Sequence, residues 1–115
     1  RRKMNYLKYE DFIKVDIRVG TIIEAELSNG LKNPSMILKI DFGKDIGIKK
    51  SSAQILDHYT SYELINKQVA AVINFLPKQI GKIISEVLVL GFPDINNKTV
   101  LFSPDLKIKN GGKLY

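Results

Sequence analysis

The sequence predicts an all-β domain in which five strands form a small barrel. Three observations predict it: residues 15–27 alternate between apolar and polar side chains, residues 69–75 and 85–90 are largely apolar, and helix-capping residues lie between these regions. A strand meander, a short helical linker and two further strands, in that order, are typical of the five-stranded Greek-key barrel called the OB-fold. An SH3-like barrel also has five short strands, but a helical linker at that position is not typical of it.

The first strand is predicted over residues 15–27. Its odd positions carry Val, Ile, Val, Thr, Ile, Ala and Leu, and its even positions are mainly polar or charged, which is the two-residue period of a half-buried strand. Gly20 lies in its middle, where a glycine usually marks a bulge or a sharp bend. We therefore expect the odd-numbered side chains to face the core. Residues 28–34 follow as a loop, because Asn-Gly and Asn-Pro pairs form turns.

Two shorter strands complete the meander. Residues 36–42 place apolar side chains at every second position, and residues 43–45 are a tight connection. Residues 46–50 follow as a third strand, which is predicted to point Ile46 and Ile48 inward. The three strands are therefore expected to pair antiparallel, in chain order.

The linker that follows is predicted to contain two helical turns. Ser51 and Ser52 can cap a turn over residues 53–56, and Thr60 with Glu63 has the spacing of a capping box for a second turn. This linker separates the third strand from the fourth.

Strands four and five are predicted over residues 69–75 and 85–90. Both are apolar on both faces, as is typical of buried central strands. Residues 107–114 contain an Asn-Gly pair and predict a hairpin. Residues 4–14 carry aromatic side chains at every third position, which predicts one short helix that packs on the barrel.

The composition is typical of one soluble globular domain. The chain has 115 residues, 44% of them hydrophobic and 26% charged, and one domain usually has about 100–200 residues. Three basic residues precede Met4, which resembles a natural start, so we expect residues 1–3 to be upstream additions. Without them the formal charge falls from +6 to +3, which permits a nucleic-acid partner without requiring one. No stretch is apolar and long enough for a membrane helix and no signal peptide is visible, so we expect a cytoplasmic protein without membrane insertion.

The residues of most catalytic and metal sites are missing. The chain has no cysteine and one histidine, His58, which excludes disulfides, thiolate nucleophiles and cysteine-zinc sites. Nothing resembles a nucleophile elbow, a paired-carboxylate site or a phosphate-binding loop. We therefore expect no enzyme activity, no cofactor and no metal, and we interpret His58 as an ordinary, partly exposed histidine.

Several blocks of the sequence resemble one known family. The blocks are DIRVGTIIEAE (16–26), IDFG (40–43), GIKKSSAQI (47–55), LINKQVAAVINF (64–75), SEVLVLG (85–91) and NGGK (110–113). Their order and spacing are similar to those of the tRNA-binding OB-domain family, and in particular of its branch of small stand-alone export chaperones of the CsaA type. The resemblance covers nearly the whole chain from about residue 12. It implies a single tRNA-binding-type OB-fold domain over residues 1–115 that forms a homodimer.

The resemblance leaves two functional classes open, because a fold does not decide a function. Relatives of the domain occur as free tRNA-binding proteins and as appended parts of aminoacyl-tRNA synthetases, which implies tRNA as a partner. The CsaA branch implies instead a chaperone that binds unfolded preproteins and the export motor SecA. We expect a CsaA-like export chaperone that has tRNA-binding capacity. The alternative is a dedicated structure-specific tRNA-binding protein or a synthetase-associated tRNA-binding module.

The segment between strands four and five carries the family's ligand pattern. That pattern runs Asn-Leu-x-Pro, then two basic residues, and later Ser-x-x-Met-x-Leu. Gln79 stands where the second basic residue is expected and Leu88 where the methionine is expected, which favours the chaperone over a dedicated tRNA binder. Two further lysines lie on the strands that usually frame an OB-fold binding face. The residues expected to contact tRNA or another ligand are Lys49, Lys50, Asn74, Lys78, Gln79, Lys82, Ser85 and Leu88.

Each of these residues also has an ordinary structural interpretation. Asn74 can bond the backbone of its own loop, Ser85 can complete the start of strand five, and the lysines can form a solvated face. Arg18 and Asp16 are expected to pair with other charges and to be structural. Phe75 falls on an apolar face of strand four, so base stacking is not an expected mechanism.

A chaperone needs an exposed apolar surface that binds extended peptide without strict sequence preference. Four apolar residues lie in the segment between strands four and five and predict such a patch: Leu76, Ile80, Ile83 and Ile84. The same four residues could instead form the interface of a homodimer, and the sequence leaves both interpretations open.

Overall fold

The computed structural model describes residues 4–28 and 33–115. Within these ranges the elements are α1 (Tyr9–Phe12), β1 (Ile17–Ser28), β2 (Ser35–Asp41), β3 (Ile48–Ala53), α2 (Ser61–Leu64), β4 (Gln68–Val72), β5 (Lys78–Ile80), β6 (Ile83–Ser85), β7 (Leu88–Val89), β8 (Gly91–Pro93) and β9 (Thr99–Leu101). Residues 1–3, predicted to be upstream, and the centre of the predicted loop 28–34 lie outside the described residues. In the described ranges no helix is long and apolar enough to cross a lipid bilayer.

Five of the strands form one antiparallel sheet in the order β3-β2-β1-β4-β7. The first three strands are a meander, α2 lies in the linker before β4, and β4 pairs with the free edge of β1. The sheet curls until β3 meets the chain just before β7, where Glu86 N donates to Lys50 O at 2.8 Å. This arrangement is that of the OB-fold, and the predicted fold class is confirmed.

The hydrophobic core fills the inside of the curled sheet. Leu64 of α2 is fully buried and joins the side chains of the strands. Burying one such side chain contributes roughly 1.5–3 kcal/mol. The core residues are Ile22, Met36, Leu38, Ile40, Phe42, Ile55, Leu64, Val69, Ala71, Val87 and Leu101.

The first half of β1 buries the opposite face from the one predicted. Gly20 and Ile22, both even-numbered, are buried, whereas Ile23 is exposed. The pairing register with β2 shifts between Ile22 and Glu24, so Ile23 is the extra residue of a β-bulge. Beyond the bulge Ala25 packs against the core, as predicted. A shift of one residue exchanges the two faces of a strand. A prediction that assumes one unbroken alternation can therefore be right for only one of the two halves of β1.

Gly20 is required by close packing and not by the bulge. A Cβ atom at Gly20 would lie 2.6 Å from Ile40 Cγ2 and 2.8 Å from Phe42 Cδ1, well inside van der Waals contact. The strand can approach these two core side chains only because glycine has no side chain.

The first part of the predicted linker is a strand instead. Ser51 and Ser52 belong to β3, so they do not cap a helical turn over residues 53–56. The prediction that Ile48 points inward is wrong, because its side chain is exposed. Ile46 lies in the turn before β3 and packs against the core from there.

The second predicted turn is confirmed, and the N-terminal helix is shorter than predicted. Glu63 N donates to Thr60 Oγ1 at 3.2 Å and Thr60 N donates to Glu63 Oε1 at 3.1 Å, which are the two bonds of a capping box at α2. In the N-terminal segment only α1 is helical, and Tyr6 and Tyr9 are largely exposed. These two rings do not pack on the barrel as predicted.

The C-terminal segment pairs with β1 and does not form the predicted hairpin. Gly111 N donates to Val19 O at 2.7 Å, Val19 N donates to Gly112 O at 3.0 Å, and Leu114 N donates to Ile17 O at 2.9 Å. Gly111 has a φ of 90°, a conformation that favours glycine. The Asn-Gly pair therefore turns the chain onto the barrel.

Candidate binding site on the connector between β4 and β7

The connector, residues 73–87, contains a β-hairpin that the sequence analysis did not predict. β5 and β6 pair up to Ile80 opposite Ile83, which leaves Gly81 and Lys82 as a two-residue turn. Gly81 has a φ of 61°, and glycine at the first turn position is typical of a type II′ turn. Gln79 Nε2 donates to Gly81 O at 2.7 Å. The residue that replaces the family's second cation thus stabilises the turn, and Lys82 is exposed at its tip.

The predicted fifth strand, residues 85–90, is divided between two elements. Ser85 ends β6, whereas Leu88 and Val89 form β7. Leu88 is 50% exposed. The prediction that the fifth strand is buried on both faces is therefore wrong at this residue. Within the described residues, two-residue β7 pairs with β4 alone, and the strands of the hairpin precede it.

A pocket of about 280 Å³ lies between the connector and β3. It brings together residues from both predicted sets, the ligand contacts and the apolar patch. The predicted residues that line it are Lys78, Ser85, Leu88, Leu76 and Ile80, and the lining residues that sequence analysis missed are Ser52, Phe75, Glu86 and Val87.

The other predicted site residues do not line this pocket. Lys50 pairs through its backbone with Glu86, so it lies next to the pocket wall, and Lys49 is half-buried on β3. Ile83 is half-buried and Ile84 is exposed on β6. The remaining residues outside the lining are Asn74, Gln79 and Lys82.

The side chain of Asn74 is used to hold the chain that precedes β1. Asp16 N donates to Asn74 Oδ1 at 3.0 Å, and Asn74 Nδ2 donates to Lys14 O at 2.7 Å. Asp16 in turn pairs with Arg18, whose Nε lies 2.6 Å from Asp16 Oδ1. The two residues were expected to pair with other charges, and they pair with each other. Both ends of the Asn74 amide have backbone partners, which favours its structural interpretation over direct ligand contact.

Ser85 also makes structural bonds, but at the edge of the pocket. Its Oγ accepts from Ser52 N at 3.2 Å and donates to Val87 O at 3.3 Å. Ser51 Oγ donates to the same Val87 O at 3.0 Å from a buried position. The hydroxyl groups of Ser51 and Ser85 thus connect β3 with the connector beside the pocket. These contacts form because Ser51 and Ser52, which were predicted as helix caps, lie in β3. Ser85 Oγ is only partly buried and can exchange a protein partner for a ligand.

The pocket has an exposed apolar rim. Phe75 is 58% exposed, Leu76 is 90% exposed and Leu88 is 50% exposed. The prediction that Phe75 lies on a buried face is therefore wrong, because β4 ends at Val72 and the ring lies beyond the sheet. Phe75 occupies the leucine position of the family's Asn-Leu-x-Pro pattern, and that position is the signal that could have identified it.

His58 does not line this pocket and is partly exposed, as predicted. Its Nε2 lies 2.6 Å from Asp94 Oδ2, and its side chain is 41% exposed. The backbone N–H of Lys98 and then the His58 side chain hold the pKa of Asp94 below its ordinary value, and the backbone N–H of Asn96 adds to them. The pair joins the linker before β4 to the β8–β9 hairpin.

The family of the chain follows from a comparison of its sequence with those of known families. Residues 17–113 match the sequence model of the family described as "Putative tRNA binding domain". The chain belongs to this tRNA-binding domain family. Methionine-tRNA ligase of Pyrococcus horikoshii is 35% identical over 98% of this chain, and that of Parabacteroides distasonis is 31% identical over 94% of it. The chain matches only 15% and 16% of the length of these two ligases.

Solved structures of similar proteins include two chaperones. CsaA of Picrophilus torridus is 47% identical and CsaA of Bacillus anthracis 41% identical; each has a TM-score of 0.89 and covers 96% of this chain and 100% of its own. A MetRS-related protein of Pyrococcus horikoshii, at 22% identity and a TM-score of 0.85, shares the fold. The resemblance to CsaA-type chaperones is confirmed. The likeness to chaperones over their full length also confirms the prediction of a non-enzymatic chain.

Proposed function

We propose that this chain is a CsaA-like molecular chaperone of protein export, which binds unfolded polypeptides at the connector pocket and has tRNA-binding capacity through the same part of its OB-fold. The observation that carries the proposal is the pocket of about 280 Å³ with an exposed apolar rim and Lys78 among its lining residues. The likeness to two CsaA chaperones over nearly the whole chain supports it.

The pocket suits a polypeptide because it combines apolar contact with few polar groups. One aliphatic or aromatic side chain of a client can enter it against Phe75, Leu76 and Leu88, and burying that side chain contributes roughly 1.5–3 kcal/mol. Ser85 Oγ can bond the backbone of the same client. Contacts of this size give weak binding without strict sequence preference, which suits a protein that must release many clients.

The tRNA capacity rests on charge and on one aromatic ring. Lys78 lines the pocket, Lys82 lies in the turn of the connector hairpin, and β3 carries Lys49 and Lys50. Cations of this kind contact phosphates irrespective of sequence. Phe75 is exposed at the rim, where it can stack on an unpaired base, a contact worth about 1–3 kcal/mol. Asn74 contributes by positioning, because both ends of its amide hold the backbone before β1.

The proposal includes three points about the protein in the cell. The chain acts as one domain over residues 1–115 in the cytoplasm, its partners are unfolded preproteins and SecA, and it forms a homodimer.

Ile83 and Ile84 remain assigned to either the peptide patch or the dimer interface. Measurement of molar mass by light scattering tests the dimer, and Ile84→Ser distinguishes the two assignments. A patch residue lowers client binding at unchanged mass, whereas an interface residue lowers the mass.

The second candidate function is a dedicated tRNA-binding protein or a synthetase-associated tRNA-binding module. The matched parts of two methionine-tRNA ligases favour it. The bond from Gln79 Nε2 to Gly81 O favours the chaperone, because the side chain at this position of the tRNA-binding pattern is neutral and engaged within the hairpin.

A competition experiment tests the proposal against this alternative. Unfolded preprotein and tRNA are titrated separately and together onto the purified protein. If four lysines contact phosphates, log affinity for tRNA falls with log salt with a slope of about 3, so a fourfold rise in salt weakens binding about 60-fold. Polypeptide binding should change less than twofold over the same range, and Leu76→Ser with Ile80→Ser should reduce suppression of client aggregation.

The controls use the lysines of the connector. Lys78→Ala and Lys82→Ala should weaken tRNA binding, whereas Lys98→Ala removes the same charge from a distant hairpin and should not. If no polypeptide binds, or if the apolar substitutions leave aggregation unchanged, the chaperone assignment is wrong. If tRNA does not bind at low salt, the proposed tRNA capacity is wrong.

A further inference from the structure

The lysines of the chain differ in whether a carboxylate neutralises them. Among the described residues, three lysines lie within 4 Å of an acidic side chain: Lys14 with Asp11, Lys39 with Glu24 and Lys98 with Asp57. The other described lysines have no such partner. Apart from Lys8 and Lys113, they fall into two groups. The first group we call the connector lysines: Lys78 and Lys82 of the connector with Lys49 and Lys50 of β3. The second group is a separate set.

The second set lies around the C-terminal segment, residues 105–112, and we call it the tail surface: Lys44, Lys67, Lys107 and Lys109. Two hollows flank consecutive parts of this segment. One, of about 690 Å³, has Lys44 and Lys109 in its lining, and the other, of about 360 Å³, has Lys67 and Lys107. Each hollow has one acidic side chain in its lining, Asp45 in the first and Asp105 in the second.

The charge of the tail surface is therefore positive. Arg18 also lines the larger hollow, but its guanidinium is paired with Asp16 at 2.6 Å and adds little to the field. Lys67 Nζ lies 5.8 Å from the centroid of the Tyr59 ring, a contact that leaves its charge in place. Four lysines that no carboxylate neutralises thus share the two hollows with two carboxylates, and an anionic partner with several charges complements this surface.

The backbone that carries two of these lysines is held firmly. Ile108 N donates to Gln68 Oε1 at 3.0 Å, and Gln68 Nε2 donates to Ile108 O at 2.7 Å. Asn110 Oδ1 accepts from Thr21 Oγ1 at 2.7 Å and from Gln68 Nε2 at 3.1 Å. Lys107 and Lys109 thus flank a fixed residue, so binding need not order the backbone beneath them, which lowers the entropic cost.

The tail surface and the connector lie at opposite ends of β4. Lys67 immediately precedes β4, whereas the connector begins just after its last residue, Val72. A strand advances about 3.4 Å per residue, so the chain from Lys67 to the first connector residue, Ile73, spans roughly 20 Å. One extended side chain or one phosphate cannot reach both, whereas the sugar-phosphate backbone of a folded RNA can.

From these observations we infer that the tail surface is a second phosphate-contacting surface, which binds the backbone of the same folded RNA that the connector contacts. This inference rests on the proposed tRNA-binding capacity and specifies its extent. It predicts that the RNA affinity and its salt dependence both exceed what the connector lysines alone supply.

Binding of unfractionated tRNA over a series of salt concentrations tests the inference. We expect Lys107→Ala with Lys109→Ala to reduce the slope of log affinity against log salt by about 1.4–1.8, because each phosphate contact contributes about 0.7–0.9. The matched control is Lys14→Ala with Lys98→Ala, which removes two lysines that acidic side chains already neutralise. The control should leave the slope unchanged, and thermal denaturation should show that both double variants are folded.

The outcomes separate this inference from the proposed function. If Lys78→Ala and Lys82→Ala weaken tRNA binding but the tail variant does not, the tail surface is not an RNA surface, while the connector assignment stands. If neither pair changes tRNA binding, both are wrong. If the tail variant loses binding to vesicles of anionic lipid and keeps its tRNA affinity, the partner is a membrane surface and the inference is overturned.

Discussion

Replacement of Asn74 by alanine should destabilise the fold more than it weakens ligand binding. The substitution removes two hydrogen bonds to the backbone, from Asp16 N at 3.0 Å and to Lys14 O at 2.7 Å. One such bond contributes about 0.5–1.5 kcal/mol, and the exposed position of these bonds places the total near the lower end, at about 1–2 kcal/mol. For a domain of this size 1 kcal/mol shifts the melting temperature by about 4 °C, so we expect a decrease of about 4–8 °C.

Two measurements together decide between the structural and the ligand-contacting roles of Asn74. Thermal denaturation gives the loss of stability, and binding to tRNA and to unfolded polypeptide, measured well below the melting temperature, gives the affinity of the folded protein. We expect either affinity to change less than about threefold. Asn96→Ala is the matched control, because the only hydrogen bond found for Asn96 in the described part of the chain uses its backbone N–H. A tenfold loss of affinity at an unchanged melting temperature would refute the structural role.

Three further predictions concern the core, the pH dependence and the pocket. Gly20→Ala should cost about 1–3 kcal/mol in urea denaturation because its Cβ would overlap two core side chains; unchanged stability would contradict that packing. The lowered pKa of Asp94, held by the Lys98 N–H and by His58, stabilises the fold above the ordinary value of 3.8, and this contribution is lost as pH falls through the lower folded value. Asp94→Asn should therefore be less sensitive to acid than the parent protein below about pH 4, and equal midpoints would contradict this. Phe75→Leu should weaken tRNA binding about fivefold or more through lost stacking while polypeptide binding is retained; equal losses would exclude a stacking role.

The fold class was predictable because the order of strands and helices identifies it, even where the predicted boundaries or buried faces are wrong. The alternation of β1, the capping box of Thr60 and Glu63, and the apolar run of β4 each come from a local pattern with a clear physical cause. The face of β1 could not be predicted, because the bulge at Ile23 depends on pairing with β2. Local sequence also favours a helix cap at Ser51 and Ser52, and tertiary pairing with β2 overrides it.

The candidate site was predictable in part, and mostly through the family pattern. Lys78, Ser85 and Leu88, which stand at positions of the pattern, line the pocket. The role of Asn74 was left open, since its partners lie about 60 residues away in the chain. Glu86 was not identified, because it reaches the pocket wall only when the curled sheet brings β3 against the connector. Contacts between distant segments leave no periodic signal in a single sequence.

The junction between β3 and the connector has a consequence for the dynamics of the barrel. Lys50 N donates to Glu86 Oε1 and Ser52 N donates to Ser85 Oγ, so side chains accept where a neighbouring strand would supply carbonyl groups. Water can replace such acceptors one at a time, whereas the ladders of β1 with β2 and β4 open only together. The amide protons of Lys50 and Ser52 should therefore exchange with deuterium earlier than those of β1. The pocket thus borders a junction that opens at a lower free energy than the ladders of β1.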